Sequence, residues 1–164
     1  MDHIKTINLE IRRFRETDIE PYIQIMTNPA VTKYLADGRG NTAEGVKEML
    51  ARFEAVWDEQ GFGVFAVVET ANGNIIGHCG FLPMKDSVEL LYAFDASVWG
   101  KGYATEAGKA VLDYAKKQFD WAELHAITWP QNEASSAVLK KLGFSNAGQQ
   151  EHFGVLMDEL VLEL

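Results

Sequence analysis

The sequence predicts a mixed α/β fold: one sheet, mostly antiparallel, flanked by helices, with a β-α-β unit at its centre. Three observations carry this expectation. Segments of strand-like and helix-like periodicity follow one another in the order β-α-α-β-β-β-α-β-α-β-β. Asn72-Gly73 joins two runs rich in valine and isoleucine, and a tight hairpin turn needs positive φ at both central positions, so those runs pair antiparallel. Finally, residues 88–94, a glycine turn, an amphipathic stretch and residues 124–129 read as strand, helix, strand. Two strands so connected run parallel if they share a sheet.

Taken in order, Ile7, Leu9 and Ile11 alternate with Asn8, Glu10 and Arg12, which predicts a first, half-buried strand. Thr17 or Asp18 caps a helix that runs to about Thr27 and is broken by Asn28-Pro29, with a short helical turn through Tyr34. Asp37 to Asn41 is a loop, and Thr42 is the N-cap of the next helix. In that helix Val46, Met49, Leu50, Phe53, Val56 and Trp57 recur at helical spacing and face the core; Trp57 is read as core rather than as a cleft wall. Residues 62–69, 75–82 and 88–94 form an antiparallel meander. Tyr103, Ala107, Ala110, Val111 and Tyr114 mark the helix after the glycine turn. Gly108 inside it costs about 1 kcal/mol against alanine, which points to close packing on a neighbour. Strand 124–129 ends at Pro130, and Asn132 caps a short helix with Lys140 and Lys141 in its last turn and Gly143 just beyond. Two strands close the chain, one beginning at Phe144 and the other covering 156–164.

The chain has 164 residues, which is the size of one domain with a sizeable core, and no linker, repeat or low-complexity stretch divides it. Its net charge of −9 argues against nucleic acid as a partner, which needs a basic footprint, and favours cationic ones. No apolar run is long enough to span a bilayer, and Met1 to Lys5 lacks the apolar core of a signal peptide. The lone Cys79 excludes an internal disulfide, so a cytoplasmic location is the default expectation. Cys79 in its apolar strand is read as core rather than as a nucleophile, and His78 beside it as a structural histidine that could alternatively face a cleft and assist Glu89. His125 and His152 make no metal-ligand set with spaced Asp, Glu or Cys, so no metal is expected.

The stretch Trp99-Gly100-Lys101-Gly102-Tyr103-Ala104-Thr105-Glu106 carries the chemistry. Its glycines let the backbone approach a ligand closely, and they open a helix whose first N–H groups lack internal partners. Free amides and the helix dipole favour a phosphate there. Gly102 after Lys101 excludes a P-loop, and Thr105 in the sixth position from Gly100 excludes the dinucleotide fingerprint. On the loop alone, a phosphate cradle and a plain strand-to-helix turn both stand.

This stretch, with Leu9-Glu10-Ile11-Arg12, Asn28-Pro29-Ala30-Val31, Val88-Glu89-Leu90, Asn132-Glu133-Ala134-Ser135 and Lys141-Leu142-Gly143-Phe144 in order, resembles the GNAT N-acetyltransferases. The nearer likeness is to the branch of ribosomal-protein N-terminal acetyltransferases. The resemblance implies a GNAT-like acyl-CoA N-acyltransferase fold and acetyl-CoA as co-substrate. The family pattern Gln/Arg-x-x-Gly-x-Gly/Ala falls on Trp99 to Ala104. Trp99 stands in place of Gln or Arg, as it commonly does in that branch. The amides of Gly100, Lys101, Gly102, Tyr103, Ala104 and Thr105 are implied to cradle the CoA pyrophosphate. The pantetheine arm is implied to lie between strands 88–94 and 124–129, paired with backbone near Phe94 and Asp95, while Asn132 hydrogen-bonds it or simply caps its helix. Many members carry a tyrosine general acid seven residues after that asparagine; Leu139 stands there here. The nearer branch has a serine three residues after it, and Ser135 matches, either to stabilise the departing thiolate or as a serine tolerated at a helix start.

Only a free amine attacks a thioester, and an amine with a pKa of about 10 is mostly ammonium at neutral pH, so the site needs a proton acceptor. Glu89 is the candidate base; the alternative is a solvated strand glutamate. A backbone N–H near Phe94 polarises the thioester carbonyl. The leading expectation is direct acetyl transfer from acetyl-CoA to a protein or peptide N-terminus or a small cationic amine. The other is a non-catalytic acyl-CoA-binding regulatory module, against which the presence of both Glu89 and Ser135 speaks. Acceptor walls are expected from loop 28–41 and the last turn, and the final strands leave an edge on which a monomer or a homodimer is equally compatible.

Overall fold

The computed structural model describes residues 3–164; Met1 and Asp2, part of the N-terminus read above, lie outside the described residues. A hairpin opens the chain, β1 (His3–Lys5) and β2 (Leu9–Arg12). The single first strand expected through Ile7 is thus two strands. Thr6 N–H donates to the Leu9 carbonyl at 2.9 Å and turns the chain, leaving Ile7 94% exposed at the tip rather than half buried.

A single 3-10 turn at Glu16–Asp18 leads into α1 (Ile19–Met26). Asp18 is buried and takes a two-pronged ion pair from Arg12, at 2.7 and 3.1 Å, plus the Arg15 N–H at 2.7 Å, which fixes the helix start to the end of β2. Asn28 caps α2 (Pro29–Thr32), with proline in its first turn. Thr42 Oγ1 accepts from the Gly45 N–H and caps α3 (Ala43–Gln60), which ends on left-handed Gly61.

The meander is β3 (Val64–Glu69), β4 (Ile75–Pro83) and β5 (Val88–Phe94), antiparallel throughout. Helix α4 (Tyr103–Gln118) crosses to β6 (Glu123–Thr128), which is parallel to β5. Helix α5 (Glu133–Lys141) and the antiparallel pair β7 (Ser145–His152) and β8 (Val155–Glu163) complete one eight-stranded sheet of order β1-β2-β3-β4-β5-β6-β8-β7. Helices α1 and α3 cover one face: Tyr22 and Phe53 pack edge-on against His78. Helix α4 covers the other, with Tyr114 against Phe65. Gly108 lies where α4 meets the end of α5, and a Cβ there would come within 2.6 Å of Leu142, so the glycine is a packing requirement, as its helical cost suggested. Trp57 is core, 5% exposed. Among the described residues no helix is long and apolar enough to cross a membrane.

Candidate active site

The sheet comes apart where β5 and β6 meet. They share one register position, Glu89 opposite His125. Beyond it β5 stays with β4 as far as Phe94 opposite Gly77, while β6 stays with β8 as far as Thr128 opposite Asp158. Two strands held by different partners, each twisting, open a wedge between them. The Asp95 N–H donates to the Ile76 carbonyl at 2.8 Å, toward β4. In an antiparallel ladder backbone groups alternate sides, so the amides of Tyr92 and Phe94 face the wedge. Of the two residues expected to pair with a ligand, Phe94 offers its amide; Asp95 does not, because β4 holds it. The Asp95 carboxylate instead accepts from the Ser97 N–H at 3.3 Å and shapes the turn.

That turn delivers the glycine stretch to the mouth of the wedge. Trp99 donates its indole N–H to the Phe94 carbonyl at 2.9 Å and clamps the turn to the end of β5. Gly100 and Gly102 have φ of +82° and +79°, the left-handed region that glycine occupies without strain, and a Cβ on either would meet nothing within 4 Å. The first intrahelical bond of α4 runs from the Glu106 N–H to the Gly102 carbonyl, and no side chain caps the helix. The amides of Tyr103, Ala104 and Thr105 therefore precede the helical ladder and point out of its positive end.

The side chains around these amides are drawn aside. Glu69, at the β3–β4 hairpin, accepts from the Tyr103 hydroxyl at 2.6 Å and from Asn72 at 2.8 Å, with Lys101 Nζ at 3.8 Å. The Tyr103 bond, then the Asn72 bond, hold its carboxyl below the usual range. Glu106 turns backward and accepts from Thr6 Oγ1 at 2.5 Å, and from the Asn8 backbone and side chain at 2.8 and 2.9 Å. Partial burial raises the Glu106 pKa, but these bonds outweigh it and leave it lowered. Lys101 and Tyr103 thus contribute amides to the turn while their side chains brace it, and the Glu106 carboxylate is held by hydrogen bonds from Thr6 and Asn8, turned away from its face.

On the far side of the wedge, Asn132 Oδ1 accepts from the Ser135 N–H at 3.2 Å, which caps α5; its Nδ2 has no partner among the described residues. Ser135 Oγ lies 2.9 Å from the Tyr92 hydroxyl. Leu139 is 2% exposed and belongs to the core. Tyr92 is a site residue that the sequence reading missed. The available signal was a phenol on the β5 face that also carries Leu90 and Phe94, since a tyrosine in such company needs a partner for its hydroxyl.

Glu89 projects from the opposite face of β5, the face shared with His78 through the pairing of His78 with Ala93. Burial raises its pKa, and the charges of Arg52 on α3 and His152 on β7 partly offset this. His152 is itself 3.2 Å from Glu159, and His125 is 3.0 Å from Glu123. His78 is not part of this group: it is 4% exposed, bonded to the Tyr22 hydroxyl at 2.8 Å, and burial lowers its pKa to about 4. Cys79 is fully buried, and burial raises its thiol pKa, as expected of a core residue. Loop 33–41 rests on Trp129 just past β6, whose indole N–H donates to the Ala36 carbonyl at 2.9 Å.

A parted sheet with an uncapped, glycine-opened helix at its mouth leaves strand edges and amides free for an extended, phosphate-bearing ligand. The comparisons give the family. Residues 8–145 match the profile of the acetyltransferase (GNAT) domain. A Bacillus licheniformis protein named as an uncharacterized N-acetyltransferase, p20, is 25% identical over 90% of this chain and 85% of its own. The crystal structure of a GNAT-family acetyltransferase from Bacillus anthracis superposes with a TM-score of 0.80 at 26% identity, covering 97% of this chain and 95% of that one. RimL, a ribosomal L7/L12 alpha-N-protein acetyltransferase in complex with coenzyme A, shares the fold with a TM-score of 0.83 at 16% identity over 99% and 98% of the two chains. The chain belongs to the GNAT acetyltransferase family.

Proposed function

We propose that this protein transfers the acetyl group of acetyl-CoA directly to a primary amine, with Glu89 as the proton acceptor and Ser135 as the partner of the departing sulfur. The observation that carries the reading is the wedge: two strand edges that part beyond Glu89 and His125, with free amides at the mouth and Ser135 across it. In this reading the amides of residues 100–105 receive the pyrophosphate, and coenzyme A in RimL supports the same ligand here. The pantetheine lies along β5 and pairs with the Phe94 amide, while the Asn132 Nδ2 serves its polar groups.

The bound cofactor supplies an activated thioester; this chain does the rest. The amine enters on the Glu89 face, between loop 33–41 and the β7–β8 turn. A carboxylate in a half-buried setting, with its pKa raised by burial, accepts the proton that the nitrogen gives up better than an exposed one does. The chain's net charge of −9 favours a cationic acceptor, a peptide N-terminus or a small amine.

Calorimetric titration with acetyl-CoA, with CoA and ATP as controls, tests the cofactor, and thiol release with a panel of N-terminal peptides and small amines tests turnover. Saturable binding with turnover supports the reading. Binding without turnover on any amine favours a regulatory acyl-CoA module, and no binding of either CoA species overturns the assignment.

A further inference from the structure

The Tyr92–Ser135 pair spans the wedge from β5 to α5, and nothing in the proposed reaction has used the phenol. Tyr92 Oη is 2.9 Å from Ser135 Oγ and 3.3 Å from the Ser135 carbonyl. A phenol has one proton to give. Donated to the carbonyl, it leaves Ser135 to donate back to Tyr92, with no hydrogen for anything in the wedge. Donated to Oγ, along the shorter contact, it frees the serine hydroxyl hydrogen to point away from Tyr92. A sulfur bearing negative charge selects the second arrangement, because it is the stronger acceptor.

We propose that Tyr92 is a positioning residue for acetyl transfer: by donating to Ser135 Oγ it aims the serine O–H at the leaving sulfur and strengthens it as a donor. The inference rests on the reading of Ser135 as the sulfur's partner. In the step it serves, the amine nitrogen forms its bond to the acetyl carbon, the carbon–sulfur bond breaks, and the sulfur leaves with the bonding pair as a thiolate. The nitrogen's proton goes to Glu89. The thiolate accepts the Ser135 hydrogen bond and takes its proton from solvent on release. Tyr92 keeps its own proton throughout, in keeping with the burial that raises its pKa. It is a fixed dipole, held across the wedge from α5 by its contact with the Ser135 hydroxyl.

The test needs no amine acceptor. Free CoA is bound to the wild-type protein and to Tyr92→Phe, Ser135→Ala and the double variant, and thiolate absorbance is followed against pH. A donor aimed at the sulfur holds the bound thiol below its ordinary pKa of about 8.5. Tyr92→Phe is expected to raise the bound-thiol pKa by about one pH unit, the equivalent of one hydrogen bond, with CoA affinity at neutral pH changed less than threefold. The double variant matches Ser135→Ala, because Tyr92 acts only through the serine. A lowered thiol pKa that survives Tyr92→Phe overturns this inference and leaves the Ser135 reading standing. A wild-type bound thiol that titrates like free CoA overturns both. Losses that multiply in the double variant mark Tyr92 as packing alone and overturn the inference as well.

Discussion

Gly102 is where a small change separates backbone strain from ligand binding. Its φ is +79°, and a Cβ on it meets nothing within 4 Å. Replacing it with alanine therefore creates no clash in the unliganded protein, and valine extends from the same open Cβ position. It costs the left-handed strain of an L residue, about 1–2 kcal/mol. For a chain of this length that lowers the melting temperature by roughly 2–8 °C. The amides of Tyr103, Ala104 and Thr105 follow directly, and if they hold a pyrophosphate, a valine side chain stands in its way. Losing one charge-assisted hydrogen bond costs about 1.5–3 kcal/mol, or roughly ten- to a hundredfold in affinity. Gly73 is the matched control: its φ is +73° in the β3–β4 turn, also with open space around its Cβ. Gly73→Ala should lower the melting temperature by the same few degrees and leave acetyl-CoA affinity alone. Scanning calorimetry reads the first quantity and titration calorimetry the second. Wild-type affinity in Gly102→Val, or an equal loss in Gly73→Ala, refutes the cradle.

Glu89→Gln abolishes turnover but not acetyl-CoA binding. Because burial raises the Glu89 pKa, the native state holds its proton to higher pH than the unfolded chain does, so the glutamate's contribution to stability falls as pH rises through that interval. The variant is accordingly more stable than wild type at pH 7 and converges on it in acid; urea melts at the two pH values check this, and the reverse order would contradict it. Asp18→Asn breaks a buried two-pronged ion pair and leaves Arg12 with Glu10 alone, 3.6 Å away, for a loss of about 3 kcal/mol in urea denaturation, the lower end for a broken buried pair. Gly108→Ala gains about 1 kcal/mol of helix propensity but overpacks Leu142 at a cost of about 1–3 kcal/mol, so stability falls modestly, and Leu142→Ala in the same chain should remove most of the penalty.

Local chemistry was legible in the sequence wherever it had a local cause. Thr42, Asn132 and the paired glycines act through neighbours a few residues away, and each does what its position implies. Asn72-Gly73 does lie between antiparallel strands, but the turn spans residues 70–74 and only Gly73, not Asn72, has positive φ, so it is not the two-residue turn expected. The parallel strands around α4 follow from a connection rule. What escaped depends on distance along the chain. The β1–β2 turn contains neither glycine nor proline, and Glu106, a hundred residues beyond Thr6, helps to hold it. Alternation of Ile7, Leu9 and Ile11 cannot register such a clamp. Tyr92 finds Ser135 at a separation of 43 residues. A β-α-β pattern shows that two strands are parallel but not that they part, which depends on β4 and β8 each claiming one of them.

The parting of β5 and β6 also divides the molecule mechanically. Within the sheet, the block of β6, α5, β7 and β8 is joined to the rest at the position of Glu89 and His125; outside it, Leu142 beside Gly108, the Tyr92–Ser135 bond, Trp121 against Phe81 and Trp129 against loop 33–41 add to that tie. Such a block opens as its own cooperative unit, and amide hydrogen exchange should see its strands protected less than β3 and β4. An extended chain seated in the gap would bridge the two blocks by serving as the strand that neither has, so its binding should slow exchange along both edges at once and merge two transitions into one. Its departure would return both strand edges to water, and ligand exchange and the loosening of the fold become the same motion.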